Sequence, residues 1–218
     1  MTKHIPFGEK NEQYSAQLIK VYNLNDDSQA DKFWLAFQQH QEMFRTFTLQ
    51  HINVLVYCNK CNYTLVFMTL AYKLIDNLSW LHSDLSTSQS QFIKYITDYV
   101  LPYMVDKVTA KELWASRCAI LHTNTYESRD TEKHAIRQVV FFSGDVTQQE
   151  VEEHILKMKG SNKNYVGLNA QKFVHALIKS IEQFSLDILL KGRLYEVREK
   201  IIKMPMHTFD VYPQKNKA

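Results

Sequence analysis

Arg117 and His122 stand inside the run TAKELWASRCAILHTNT (109–125), separated by four apolar or small residues. Histidine exchanges protons near neutral pH, because its unperturbed pKa is about 6.5. Arginine stays charged and forks onto phosphate oxygens. Together they suit metal-free cleavage of an RNA phosphodiester. The imidazole would move the proton of the 2′-OH or of the leaving oxygen, and the guanidinium would stabilise charge in the transition state. The ordinary alternative is an Arg that pairs a nearby acid and a His at a helix C-terminus, where its cation is favourable. In an α-helix, five residues at about 100° each place the two roughly 140° apart. Either the helix ends at His122 and the long Arg leans over it, or a second copy of the chain supplies the partner across a two-fold axis.

Other groups are candidates in support. CNKC at 58–61 has the spacing of half a zinc site, with His51 and Cys118 as conceivable further ligands. With no second CxxC, the expectation is two turn cysteines and no metal. Arg129 in the loop after the motif is a candidate phosphate contact, and Tyr126 a candidate base-stacking or hydrogen-bonding group. The alternative for both is a solvated loop. Asp76 is a candidate to orient Arg117 or His122, whereas Asp84 reads as a helix cap. Trp80 and Trp114 read as core residues rather than ligand-stacking ones. Lys191, Arg193, Arg198, Lys200 and Lys203 form a basic segment that either tracks RNA or solvates a helix.

The chain that must position these groups has 218 residues, 45% of them hydrophobic, with 5 Gly, 4 Pro and a net charge of +3. Such a composition supports a sizeable core built from long regular elements, and excludes gross disorder. The charge is too mild to demonstrate a nucleic-acid partner and does not oppose one. Three cysteines (Cys58, Cys61, Cys118) and no signal-type N-terminus point to a reducing cytoplasm and no membrane.

With no repeat or linker, a single domain over 1–218 is expected. It has a polar N-terminal extension (1–30) and a basic C-terminal segment (191–218). DKFWLAFQQHQEMFRTF repeats its aromatics at helical spacing, and HINVLVYC reads as a strand or a helix continuation. YTLVFMTLAYKLIDNLSWL reads as a central buried helix. Asp84 or Ser86 is expected to cap the next helix, which Pro102 ends or kinks. Thr109 and Glu112 form a capping box for the motif helix, and Thr147 and Glu150 form a second. HTNTYESRDTEK reads as a polar loop, and IRQVVFFSG as a strand ended by Gly144. GSNKNYVGL reads as a connector, and Asn169 as the cap of a long helix with the stripe Phe173, Leu177, Ile181, Phe184, Ile188. The fold class is mainly α with a minor β element at about 135–143.

The run SRCAILH resembles the HEPN superfamily signature, an Arg and a His separated by mostly apolar residues late in a helical bundle. ELWASRCAILHTNTYESRD together with FFSG resembles an uncharacterised plasmid- and bacteria-borne branch of it. The resemblance spans roughly 63–190 at fold level and is sharp at 112–130. It implies a HEPN-like bundle that forms a homodimer with facing motif helices. It further implies a metal-independent endoribonuclease of toxin–antitoxin or antiphage defence, with RNA as substrate, an antitoxin or nucleotide as possible partner and no cofactor. By position, Arg117 and His122 would be the catalytic pair, with Cys118, Tyr126, Arg129 and Asp76 substrate-binding or supporting. Cys118 stands where the pattern is often polar, which motivates an alternative: a non-catalytic module that binds nucleotide, RNA or a protein partner.

Overall fold

The computed structural model describes residues 64–123, 128–132, 136–144, 146–158 and 164–203, with isolated positions 20, 53, 54 and 57. The readings of DKFWLAFQQHQEMFRTF, His51, Cys58, Cys61 and Tyr126 lie outside these residues, as does HINVLVYC apart from Asn53, Val54 and Tyr57.

The central apolar run forms α1, Thr64–His82, which buries Phe67, Met68, Ala71, Tyr72, Leu74, Ile75, Leu78 and Leu81. Spacings of three and four put these on more than one face, so the helix is buried from several sides. Next comes α2, Ser88–Tyr95. Its cap is Thr87, whose hydroxyl accepts from the Ser90 N–H at 3.1 Å. Asp84 and Ser86 do not cap it; the Asp84 carboxylate instead accepts from Lys200 at 2.5 Å. From α2 the chain passes into a wide π turn, Ile96–Val100, and then a tight 3₁₀ turn, Leu101–Tyr103, which carries Pro102. Proline has no N–H to donate and stops the helix there.

The motif helix is α3, Ala110–Cys118, and its capping box forms as expected. The Thr109 N–H donates to Glu112 Oε2 at 2.7 Å, and the Glu112 N–H donates to Thr109 Oγ1 at 3.3 Å. Glu112 also accepts from Arg137, so one buried carboxylate ties the start of α3 to the residue before the first strand. After α3 a second π turn runs over Ala119–Thr123. The polar segment read as a loop contains a short helix, α4, Arg129–Glu132, held by reciprocal Ser128–Thr131 hydrogen bonds.

Strand β1 is Gln138–Phe142, and Gly144 beyond it takes φ 89°, a left-handed value glycine adopts without strain. Helix α5, Gln148–Met158, starts at the Thr147–Glu150 box. It leads to β2, Tyr165–Asn169, paired parallel to β1 from Gln138↔Tyr165 to Phe142↔Asn169. β2 corrects the reading of GSNKNYVGL as a connector. Its five residues include a glycine, and its pairing partner lies 27 positions earlier, so no local pattern marks it.

Asn169 ends the strand and begins α6, Ala170–Leu190. Its Oδ1 accepts from the N–H groups of Gln171 and Lys172 at 3.0 Å each. Its Nδ2 donates to the Gly144 carbonyl, and its N–H donates to Asp106. All five residues of the expected α6 stripe are buried, against α1 and the turn after α2. The last element, α7, Leu194–Lys203, returns to α1. The described fold is mainly helical with a small two-stranded parallel sheet. Among the described residues no helix is long and apolar enough to cross a membrane.

Candidate functional site

Helices α1 and α3 meet along two adjacent turns. Tyr72 on α1 is fully buried beside Ser116, and burial drives its phenol far above the usual range. One turn further along α1, Asp76 meets Arg117. The Arg117 Nε donates to both Asp76 oxygens at 3.2 Å, and Nη2 donates to Oδ2 at 2.7 Å. The two side chains are only 13% and 18% exposed, so water screens this pair weakly. Burial pushes the guanidinium down, but the Asp76 carboxylate, with Cys118 adding to it, holds it above its ordinary value. Trp114, three residues before Arg117 on the same helix face, lies under the guanidinium, 4.9 Å from ring centroid to Cζ. Trp114 also meets Phe92 edge-on, which fixes the indole.

His122 completes the group. Its Nε2 lies 2.9 Å from Arg117 Nη1. The expected gap of about 140° is closed within one chain. The turn after Cys118 is π-helical. Bonding from i to i+5 takes one more residue per turn than bonding from i to i+4. It therefore returns the residue five on to the side of the axis where an α-helix would present the residue four on. A guanidinium only donates, so Nε2 accepts in this contact and the ring proton sits on Nδ1. His122 is exposed, while Ala119 and Ile120 of the same turn are buried and anchor it.

The chain matches no protein-family model, no curated protein and no solved structure.

Four of the six candidate residues thus come together: Arg117, His122, Asp76 and Cys118. Arg129 is exposed on α4, which packs near α3, and among the described residues no hydrogen bond or ion pair joins it to the pair. Among the described residues no three metal-ligating side chains converge. The basic segment is largely paired within the fold: Lys191 with Asp187, Arg193 with Glu196, and Lys200 with Asp84 and Glu196. Arg193 also donates to the carbonyls of Leu81 and His82 and so caps the end of α1. Trp114 was not marked as part of the site by sequence, although its spacing of three from Arg117 is a usable signal. Trp80 corrects the core reading: it is 37% exposed.

Proposed function

We propose that the Arg117–His122 pair makes this chain a metal-independent endoribonuclease of HEPN type, acting as a homodimer in toxin–antitoxin or antiphage defence. The observation that carries the reading is the 2.9 Å Arg117–His122 contact beside the Asp76 carboxylate. Asp76 takes the Nε–Nη2 edge of the guanidinium, and His122 meets Nη1. A phosphodiester docked there competes for the Nη1 donor and releases His122 Nε2. That nitrogen then accepts the 2′-OH proton as O2′ bonds to phosphorus and the P–O5′ bond breaks. The leaving O5′ takes its proton from water, His122 returns its proton to the solvent, and the products are a 2′,3′-cyclic phosphate and a 5′-OH. Arg117 stabilises the charge that builds on the non-bridging oxygens.

The test is incubation of the protein with RNA in EDTA, beside His122→Ala and Arg117→Ala. Each variant is expected to lose at least about 100-fold in cleavage rate, the low end of what a positioned acid–base group contributes. Cleavage that persists in both removes these residues from the mechanism. The alternative, a non-catalytic module binding nucleotide, RNA or a protein partner, draws on the same network, because Asp76, His122 and Cys118 already surround the guanidinium. Tight binding of RNA without product would decide for it.

A further inference from the structure

Asp76 does not stand alone on its face of α1. Lys73 lies one turn before it and Trp80 one turn after, so the three share a face at spacings of three and four. Lys73 is exposed. Trp80 is 37% exposed although it belongs to a helix that is otherwise deeply buried. Lys200 of α7 places its Nζ 6.0 Å from the Trp80 ring centroid and 3.4 Å from the Trp80 carbonyl oxygen. Asp84 and Glu196 hold that ammonium in place. The indole is thus fixed by a cation on one side and left partly open to solvent. The rise from Asp76 to Trp80 is about 6 Å, close to the step between neighbouring nucleotides of an extended single strand.

We propose that Trp80 is a nucleobase platform, on which a base next to the phosphate held by Arg117 stacks, with the exposed Lys73 drawing the backbone along α1. This rests on the RNA-cleaving reading of the Arg117–His122 site. The occupant is single-stranded RNA, because paired bases present no free face to an indole. Trp80 is here a positioning residue: it binds the substrate and leaves the chemistry to Arg117 and His122, 37 and 42 positions on in sequence.

The experiment pairs two substitutions in the protein with one in the RNA. Kd and single-turnover rates are measured on a short single-stranded RNA for the wild type, Trp80→Ala and Trp80→Leu. Trp80→Leu keeps apolar bulk under Lys200 and guards against a folding defect, checked by melting temperature. Both variants should weaken binding about 5- to 150-fold, the range for loss of one base–aromatic stack. The rate at saturating protein should stay within a few-fold. The same RNA with an abasic nucleotide beside the cleaved bond should bind all three proteins alike. A loss from Trp80→Leu that persists on the abasic RNA overturns the platform. So does unchanged binding by both variants while Arg117→Ala abolishes cleavage, and in that case the cleavage reading stands. If the wild type neither binds nor cleaves RNA, both readings fall together.

Discussion

Replacing Asp76 by Ala leaves the Arg117 guanidinium in place and removes the carboxylate that three of its contacts reach. Removing one partner of a fully buried ion pair costs about 3–5 kcal/mol, whereas an exposed pair is worth about 0–1 kcal/mol. At 13% and 18% exposure the pair sits nearer the buried limit, and the expected loss is about 2–4 kcal/mol. For a domain of this size that lowers the melting temperature by about 5–15 °C. Asp76→Asn keeps one acceptor and loses the charge, so it should fall between Ala and the wild type. The decisive assay is a double-mutant cycle in urea with Asp76→Ala, Arg117→Ala and the double variant. The two residues should couple by about 1.5–3 kcal/mol, within the range for contacting groups. Coupling below about 0.5 kcal/mol, the scatter expected of independent sites, would refute the claim that Asp76 fixes the guanidinium.

Three further outcomes follow from the same geometry. Leu121→His combined with His122→Ala moves the imidazole one place back along the π turn; RNA cleavage should not recover, and recovery would mean that the turn does not set the pairing. Gly167→Ala would bring a Cβ to 2.3 Å from Val151 Cγ1 and 3.0 Å from Phe142 Cε1, so it should cost about 1–3 kcal/mol by overpacking; the urea midpoint should fall at constant slope and partly return when Val151→Ala is added. His82 sits among the Tyr95, Tyr99 and Phe184 rings with Nε2 on Asp98 and a buried Nδ1 that has no hydrogen-bond partner among the described residues. Burial lowers its pKa below 6.5, Arg193 and Lys94 add to that, and Asp98 opposes it. The unfolded chain therefore takes up this proton first. Stability should be full above about pH 6.5 and decline as the pH drops through that value. In His82→Phe this part of the decline should vanish; an unchanged profile would rule out His82 as its source.

Local signals were the legible ones. Thr109 with Glu112, Thr147 with Glu150, and Asn169 each satisfy helix N–H groups within three residues, so sequence alone locates those helix starts. The α6 stripe is equally local, since burial on one face imposes its own period. What escaped the sequence depends on distant partners or on irregular backbone. Strand β2 exists because β1 is there to pair with it. Asp84 reads as a cap until Lys200, 116 positions on, takes its carboxylate. Trp80 reads as core until α7 proves to cover it only in part. At the site, the residue types are legible, Asp76 included, but a separation of about 140° holds only on an ordinary α-helix, and the π turn over Ala119–Thr123 changes it.

That turn also ties spacing to backbone type. An ordinary α-helix presents a residue four places on only about 40° away, so an Arg and a His with three residues between them would meet with no irregularity at all. Here there are four, and the surplus residue is absorbed by the wide turn over Ala119–Thr123. The contact therefore has two solutions, a shorter spacing on a regular helix or the present spacing on a π turn. A chain that drops one residue between Arg117 and His122 keeps the contact only if it straightens the turn in the same step. Length and helix type at this point are a compensating pair, and neither can change alone without parting the imidazole from the guanidinium.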